Sequence, residues 1–459
     1  MKSFYKLVLL IPCWLLASQA SAQSSQPSSV QSYTLQQCID YALENNPNLK
    51  NSNSSIESAR AKVRETLASG LPQIGATADL GSNFIIPTTF LPASFFPPGA
   101  VAPGVEYVPV KFGTQYLGRS SLNVDQMIFN GSYFVGLKAS QVYTELSRQD
   151  LVSTKTDLII AIKKAYYSVL VNKERLDLVN KNYQRLDSLL SQTKVMYNNG
   201  FSEKIDVSRI QVQFNNIVNL KRTTTLGVEI SGNLLKFQMG LPMSQPIVLT
   251  DNLESIKLEV LDDDFSKNFN YSNRVEYRKL EVNSQLVQLD IRNTKSQYLP
   301  RLDLYGNYGA SYGTSAYDQF IKFGSNWKSF GVFGIRANLP IFDGLRKSNQ
   351  IQQKKIQWQQ LENSKSLLKN QIDMEQNQNL ITFNSNLETL KNQKDNLELA
   401  DEVYKVSVIK YQQGIGSNIE VITADASLKE AQTNYYAALY DALITSVDLE
   451  KSYGKILSK

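Results

Sequence analysis

The sequence predicts a mostly α-helical chain that also carries β-strands, with the whole plan present twice. The evidence is a very long internal repeat, two proline-free stretches with heptad spacing, and runs of alternating apolar and polar residues. MYNNGFSEKIDV, from Met196, aligns with KYQQGIGSNIEV, from Lys410, at an offset of 214 residues. Upstream, IFNG ending at Gly131 aligns with IFDG ending at Gly344. Solenoid periods are only about 20 to 50 residues, so this repeat indicates a duplicated unit.

The first 22 residues have the pattern of a signal peptide. Lys2 and Lys6 precede an apolar run from Leu7 to Leu16, and Ala20-Ser21-Ala22 forms a small-residue cleavage site. The apolar run is too short to span a bilayer, so we expect export and a mature chain that begins near Gln23.

Composition argues against an enzyme. The chain has no histidine, which excludes Ser-His-Asp triads, Cys-His pairs and imidazole-ligated zinc. Its two cysteines are Cys13 and Cys38. Lipidation at Cys13 is an alternative, although the apolar run continues past it. We therefore expect no cofactor, no metal and no catalytic site. The net charge of +6 is scattered, without a block of like charges, so we expect no nucleic-acid partner.

We divide the mature chain into two structural repeats, residues 23–245 and 265–459, joined by a linker at 246–264. Proline is absent between Val110 and Leu241 and again after Pro340, and proline is excluded from helix interiors. Within these stretches, apolar residues recur in steps of three and four, which is a heptad seam. A helix over 132–198 would be roughly 100 Å long at about 1.5 Å per residue.

Glycine turns predict that each long helix folds back on itself. Gly200 ends the first long helix, and Gly414 with Gly416 ends the second, because glycine adopts left-handed backbone readily. Returning helices are expected over about 203–239 and 418–455. The sequence thus predicts helical hairpins at about 131–240 and 344–457. A shorter helical segment precedes each unit. The first, at 34–69, has a capping box on Thr34 and an interruption at Pro47, and the second is at 265–297.

Alternating residues predict two β-hairpins, at about 72–129 and 300–342. After Pro300, residues such as Leu302 and Leu304 alternate with Arg301 and Asp303. One apolar and one polar face fits a membrane barrel, but it also fits a soluble sheet packed on a core. Four strands cannot close a barrel, so in a membrane several chains would have to share one. The proline-rich, apolar segment 85–115 would be a loop at the outer end.

This arrangement resembles the TolC-like outer-membrane efflux protein family over nearly the whole mature chain. The resemblance rests on the duplicated plan, on Ala42-Leu-Glu-Asn-Asn-Pro-Asn-Leu49, on the Leu-Pro that enters each hairpin and on the two glycine tips. It implies a homotrimer with a twelve-stranded β-barrel in the outer membrane and an α-barrel tunnel in the periplasm. It also implies a passive duct that works with a periplasmic adaptor and an inner-membrane pump, in efflux or type I secretion.

The resemblance assigns roles to residues at the two tips. Gly200, Gly414 and Gly416 lie where family members form the inner end of the tunnel and contact the adaptor. Gly416 stands where family members can carry an arginine that latches the closed state. A departure at this position implies a weaker latch in this chain.

The resemblance also implies a gate. Glu420 matches an acidic position that constricts the pore, whereas the second acidic position is occupied by Thr423. Asp206 and Tyr411 match the residues that latch the closed state. Simpler interpretations remain open, because Tyr411 occupies a seam position and both acids lie in the first turn of a helix, where the dipole favours carboxylates.

An alternative function is a soluble periplasmic adaptor or tether built from helical hairpins, without a pore. It predicts extraction without detergent, whereas a channel predicts detergent-requiring, heat-modifiable oligomers in the outer membrane.

Overall fold

The structure is a computed structural model that describes residues 31–253, 269–320 and 327–457. The predicted signal peptide and residues 254–264 of the predicted linker lie outside the described residues. Both halves follow one order, in which a shorter helical segment leads into a β-hairpin and then into two long antiparallel helices.

The first helical segment is broken where the sequence predicts. A short strand β1 (Gln31–Tyr33) precedes helices α1 (Leu35–Asn45) and α2 (Pro47–Ala68). The hydroxyl of Thr34 accepts from the Gln37 amide at 3.3 Å, and the Gln37 side chain accepts from the Thr34 amide at 2.9 Å. This is the predicted capping box. Asn46 caps α2 in turn, and Pro47 occupies the first helical position, where its missing N–H is harmless.

The long helices agree with the proline-free stretches. In the first half they are α3 (Gly131–Asn198) and α4 (Lys204–Met239). The remaining α-helices of the described residues are α5 (Val275–Ser296), α6 (Tyr317–Phe320), α7 (Arg346–Gln412) and α8 (Asn418–Ser452). The helix predicted from residue 265 begins only at Val275, after a 3-10 turn at Tyr271–Asn273, and residues 265–268 lie outside the described part. The long helices pack in the order α4–α3–α8–α7, so α4 and α7 are the edges of the layer.

The main sheet joins the two repeats. Its strands are β2 (Gln73–Ser82), β5 (Tyr116–Phe129), β7 (Arg301–Thr314) and β8 (Lys328–Asn338). They are antiparallel in the order β2-β5-β7-β8, which leaves β2 and β8 as edges. The second hairpin is predicted to reach about residue 342, but β8 stops at Asn338, because Pro340 cannot donate to the ladder.

The segment 85–115, expected to be a loop, contains a second small sheet. Strands β3 (Thr88–Pro92) and β4 (Tyr107–Lys111) pair antiparallel beyond the ends of β2 and β5. Asn83 links the two ladders, since its amide donates to the Gln115 carbonyl at 2.7 Å. Proline is tolerated here because both strands are edges.

The largest core lies around the middle of α3. β1 pairs in parallel with β6 (Ile247–Leu249), and the two cover a cluster that includes Cys38, Ile162 and Tyr166, all fully buried. The Tyr166 hydroxyl donates to the Asp251 carboxylate at 2.6 Å. Asp251 also accepts from the Leu35 amide at 3.0 Å, so one carboxylate connects α1, α3 and the segment after β6.

Among the described helices, none is both long and apolar enough to cross a membrane.

Candidate gate at the helical tips

The two helical hairpins end in turns of the same construction. Gly200 and Gly414 have φ angles of 80° and 74°, and each amide donates to the tyrosine carbonyl three residues earlier at 3.0 Å. The following amides, of Phe201 and Ile415, donate to carbonyls one residue further back, at 2.8 and 3.0 Å. Only glycine adopts this left-handed backbone without strain, which explains the repeated glycine.

Gly416 is required for a different reason. A Cβ atom at this position would lie 2.9 Å from the Cβ of Lys410 and 3.1 Å from the backbone nitrogen of Tyr411. By contrast, a Cβ at Gly200 or Gly414 would meet nothing within 4 Å. The position that corresponds to the latch arginine of the family therefore has no room for a side chain in this turn.

The tips are held together by a core shared by both hairpins. Tyr404, Tyr411 and Val421 of the second hairpin cluster with Leu190 and Ile210 of the first, and all five are buried. Closer to the turns, the Gln412 side chain donates to Gln192 at 3.0 Å. Close packing of this kind places the two tips at one end of the molecule.

Tyr411 forms no hydrogen bond with Asp206 within the described chain. Its hydroxyl instead accepts from the Asn418 side chain at 3.5 Å, and the residue is only 8% exposed. The latch that the resemblance assigns to Asp206 and Tyr411 is therefore not a hydrogen bond within one chain, and a latch between copies stays a prediction. Asn418 begins α8, so its bond to Tyr411 ties the two helices of the second hairpin together across the turn.

Asp206 belongs to the N-terminal cap of α4. Its carboxylate accepts from the Ser202 hydroxyl at 3.3 Å and from the Glu203 amide at 3.4 Å, and Arg209 lies 3.6 Å away. Each contact involves a residue within four positions in sequence. The structure thus gives this carboxylate a capping role, with its side chain still 20% exposed.

Glu420 occupies the equivalent position in α8. Ser417 caps the helix, accepting from the Glu420 amide at 3.3 Å, and its hydroxyl donates to the Glu420 carboxylate at 3.1 Å. Glu420 is exposed, as is Thr423 one turn later. An exposed carboxylate at this end of the molecule is accessible to ions in the solvent.

A buried charge supports the second hairpin below Glu420. Asp425 is 6% exposed and pairs with Lys429 at 2.5 Å. Burial raises the pKa of the Tyr404 hydroxyl, and the charge of Asp425 raises it further. These groups stabilise the tip but face its core, so we assign them no role in the pore.

Sequence reasoning missed two apolar side chains at the tips. Phe201 is 80% exposed and Ile415 is 78% exposed, and the two are equivalent in the repeat at the 214-residue offset. The signal was present in the sequence, as an apolar residue directly after each turn glycine.

Among the described residues, no group of three or more Cys, Asp or Glu side chains could hold a metal ion.

Comparison with known proteins identifies the family. The sequence profile described as "Outer membrane efflux protein" matches residues 38–219 and 272–455. The chain is 21% identical over 439 residues to the outer membrane protein TolC of Vibrio cholerae, covering 95% of this chain and 94% of that protein. It is also 21% identical over 443 residues to the toluene efflux pump outer membrane protein TtgC of Pseudomonas putida, covering 95% and 86%.

A solved structure shows the same fold. The Campylobacter jejuni CmeC outer membrane channel superimposes with a TM-score of 0.70 at 16% identity, covering 95% of this chain and 90% of that one. The chain belongs to the outer membrane efflux protein family. It is an efflux channel of the outer membrane with a helical tunnel in the periplasm, as predicted, and it is not a soluble adaptor. The predicted fold class is likewise confirmed.

Proposed function

We propose that three copies of this chain close into one continuous duct, through which substrates leave the periplasm passively. The proposal rests on one observation. The four-stranded sheet and the layer of long helices each have two edges that lack a neighbour within the described chain. In the sheet the edges are β2 and β8, and in the helical layer they are α4 and α7. In each layer one edge comes from the first repeat, 23–245, and the other from the second, 265–459.

The sheet edges require partners in a membrane. Unpaired backbone N–H and C=O groups each cost several kcal/mol in hydrocarbon, about the penalty of an unmade hydrogen bond in an apolar solvent. Pairing β8 of one copy with β2 of the next satisfies both edges. Such a head-to-tail contact closes into a ring, and the family resemblance gives three copies and twelve strands.

The helical edges expose apolar side chains that a neighbouring copy would cover. Along α4, Ile230 is 68% exposed and Phe237 is 64% exposed, seven residues apart on one stripe. Along α7, Ile381 is 71% exposed and Leu399 is 61% exposed. Burying these stripes between copies would continue the barrel as a tunnel of packed helices.

The assembly is tested by placing a charge on the α4 stripe. Ile230→Glu should convert detergent-solubilised trimers into smaller species, measured by light scattering coupled to size exclusion. The matched control is Thr225→Glu, which adds the same charge to an exposed position off the stripe and should leave trimers intact. A wild-type protein that is monomeric in detergent with its full strand content would overturn the proposal.

At its inner end the duct is proposed to meet a periplasmic adaptor and, through it, an inner-membrane pump. Phe201 and Ile415 support this proposal, since exposed apolar groups at a tip mark a contact surface. The same tips are proposed to form the gate, with Glu420 of each copy facing the axis. Because Asp206 and Tyr411 do not bond within one chain, a latch made by either residue would have to join neighbouring copies.

A further inference from the structure

The strand register places the charged residues of the barrel on one face of the sheet. Directly paired residues share a face, and residues two apart on one strand do as well. The face that contains Asp79, Arg119, Ser121 and Asn307 is polar along most of its length. The opposite face carries mainly apolar and aromatic groups, with examples at Leu80, Leu122, Leu304, Tyr308 and Phe333.

The two faces differ in which one would line the water-filled lumen of the barrel, and this decides where the charged side chains lie. Lipid requires the apolar face, so the polar face lines the lumen. β5 enters α3 at its C-terminal end and β7 follows α5, so that end of the sheet is periplasmic. The opposite end, which holds the start of β5 and the start of β8, is the outer mouth.

The charges differ between the two ends of this lumen. At the periplasmic end, Asp303 lies 2.8 Å from Arg301 and directly opposite Arg336, and Asp125 is nearby on β5. Two acids therefore balance two bases. Arg336 also stacks over the Tyr305 ring at 4.7 Å, which fixes its guanidinium.

At the outer end the charges do not balance. One row of paired positions crosses the sheet as Asp79, Arg119, Ser311 and Lys328. Neither Arg119 nor Lys328 forms an ion pair with any described residue, and Arg119 lies over the Phe330 ring at 4.7 Å. The row thus carries two positive charges and one negative charge per chain. The next described carboxylates, Glu106 and Asp318, lie in the segments beyond the strand ends.

We propose that Arg119 and Lys328 form a cationic ring at the outer mouth, which sets the preference of the exit for anionic solutes. The ring rests on the proposed three-copy assembly, which brings six positive and three negative charges to the outer end of the lumen. Rings of Arg and Lys are the usual means by which pores attract anions. At about 0.1 M salt the Debye length is about 10 Å, so charges at one level of a narrow pore act together.

The test is block of single-channel current by tripolyphosphate, added separately to each side of a planar bilayer in dilute KCl. Wild-type channels should be blocked at lower concentration from the barrel side than from the helical side. The double variant Arg119→Gln/Lys328→Gln should raise the half-blocking concentration on the barrel side at least about tenfold, because it removes all six positive charges of the ring that attracts the polyanion. Asp79→Asn should lower that concentration.

Two controls separate charge from packing and position. Arg119→Lys keeps the charge without the planar stack and should be blocked like wild type. Lys50→Gln removes one exposed charge per chain from α2, on the helical side, and should change little. Trimeric, conducting channels with equal block from both sides would overturn the cationic ring alone. A wild-type protein that forms no trimers would overturn the proposed assembly, and the ring with it.

Discussion

Gly416 lies so close to the last turn of α7 that a methyl group would meet the Lys410 Cβ at 2.9 Å. Gly416→Ala should therefore shift the end of α7, at a cost of about 1–3 kcal/mol in local stability, as overpacking does elsewhere. Amide hydrogen exchange of residues 409–416 should become faster. Gly136→Ala is the control, since a Cβ there meets nothing within 4 Å, and alanine should stabilise the helix by about 0.5–1 kcal/mol. Unchanged protection in Gly416→Ala would show that the turn adapts without strain.

The exposed apolar groups of the tips should be needed for coupling to the adaptor. Phe201→Ser and Ile415→Ser should reduce efflux, measured as a lower minimal inhibitory concentration for exported compounds, while trimers in the outer membrane remain normal. Adding charged bulk by Gly200→Glu or Gly414→Glu should have the same effect, since both positions have open space but left-handed backbone. The control is Ser208→Glu, at an exposed position on α4 beyond the turn. Normal efflux with Phe201→Ser would remove the tips as the docking surface.

Substitutions of Asp206 and Tyr411 should have independent effects on the local stability of one chain. Their effects on conductance should be coupled only if the two residues meet between copies. Asp206→Ala removes a cap contact and should cost about 0.5–2 kcal/mol locally. Tyr411→Phe removes the bond from Asn418, and local stability measured by hydrogen exchange should show the two effects adding. If neighbouring copies form the latch, the single variants should each raise conductance, and the double variant should raise it no further. Additive effects on conductance would contradict a shared latch.

Glu420→Gln should lower cation preference without opening the gate. Three carboxylates near one axis would attract cations, and glutamine keeps the side-chain length while removing the charge. Reversal potentials in a KCl gradient should move toward zero, and block by multivalent cations from the helical side should weaken. Glu44→Gln, an exposed acid in α1 far along the chain from the tips, should leave both unchanged. If Glu420→Gln leaves selectivity unaltered, the residue acts only as a helix-start carboxylate.

The protein should lose stability above about pH 10. Burial, followed by a nearby glutamate, raises the pKa of Tyr167 and of Tyr436 to about 12. The unfolded chain releases these protons near the ordinary tyrosine pKa of about 10, whereas the folded chain keeps them. Stability is therefore full below about pH 10 and falls as pH rises toward 12. Circular dichroism melts from pH 8 to 12 should show this fall reduced in Tyr167→Phe/Tyr436→Phe and unchanged in Tyr143→Phe, whose ring is exposed.

Local signals in the sequence were sufficient for the helices and for their turns. The cap on Thr34, the break at Pro47 and the glycine ends at Gly200 and Gly414 depend on a few neighbouring residues, so one sequence reveals them. Contacts between distant residues were not predictable in this way. The pairing of β1 with β6 and the bond from Tyr166 to Asp251 depend on how distant segments pack. The resemblance assigns Asp206 a role in the latch. Its short side chain instead accepts hydrogen bonds from residues at the start of its own helix.

The parallel pairing of β1 with β6 also constrains the order in which the chain folds. Gln31 pairs with Ile247, so the partner of the first described strand is synthesised 216 residues after it. Contacts this distant in sequence form slowly, because a long loop must close before they stabilise anything. The core around Tyr166 also contains Leu443, Val447 and Ile456, so it cannot be completed until nearly the whole chain has been made. Until then the segment Gln31–Tyr33 lacks its strand partner, and a factor that binds this segment would protect the growing chain from aggregation.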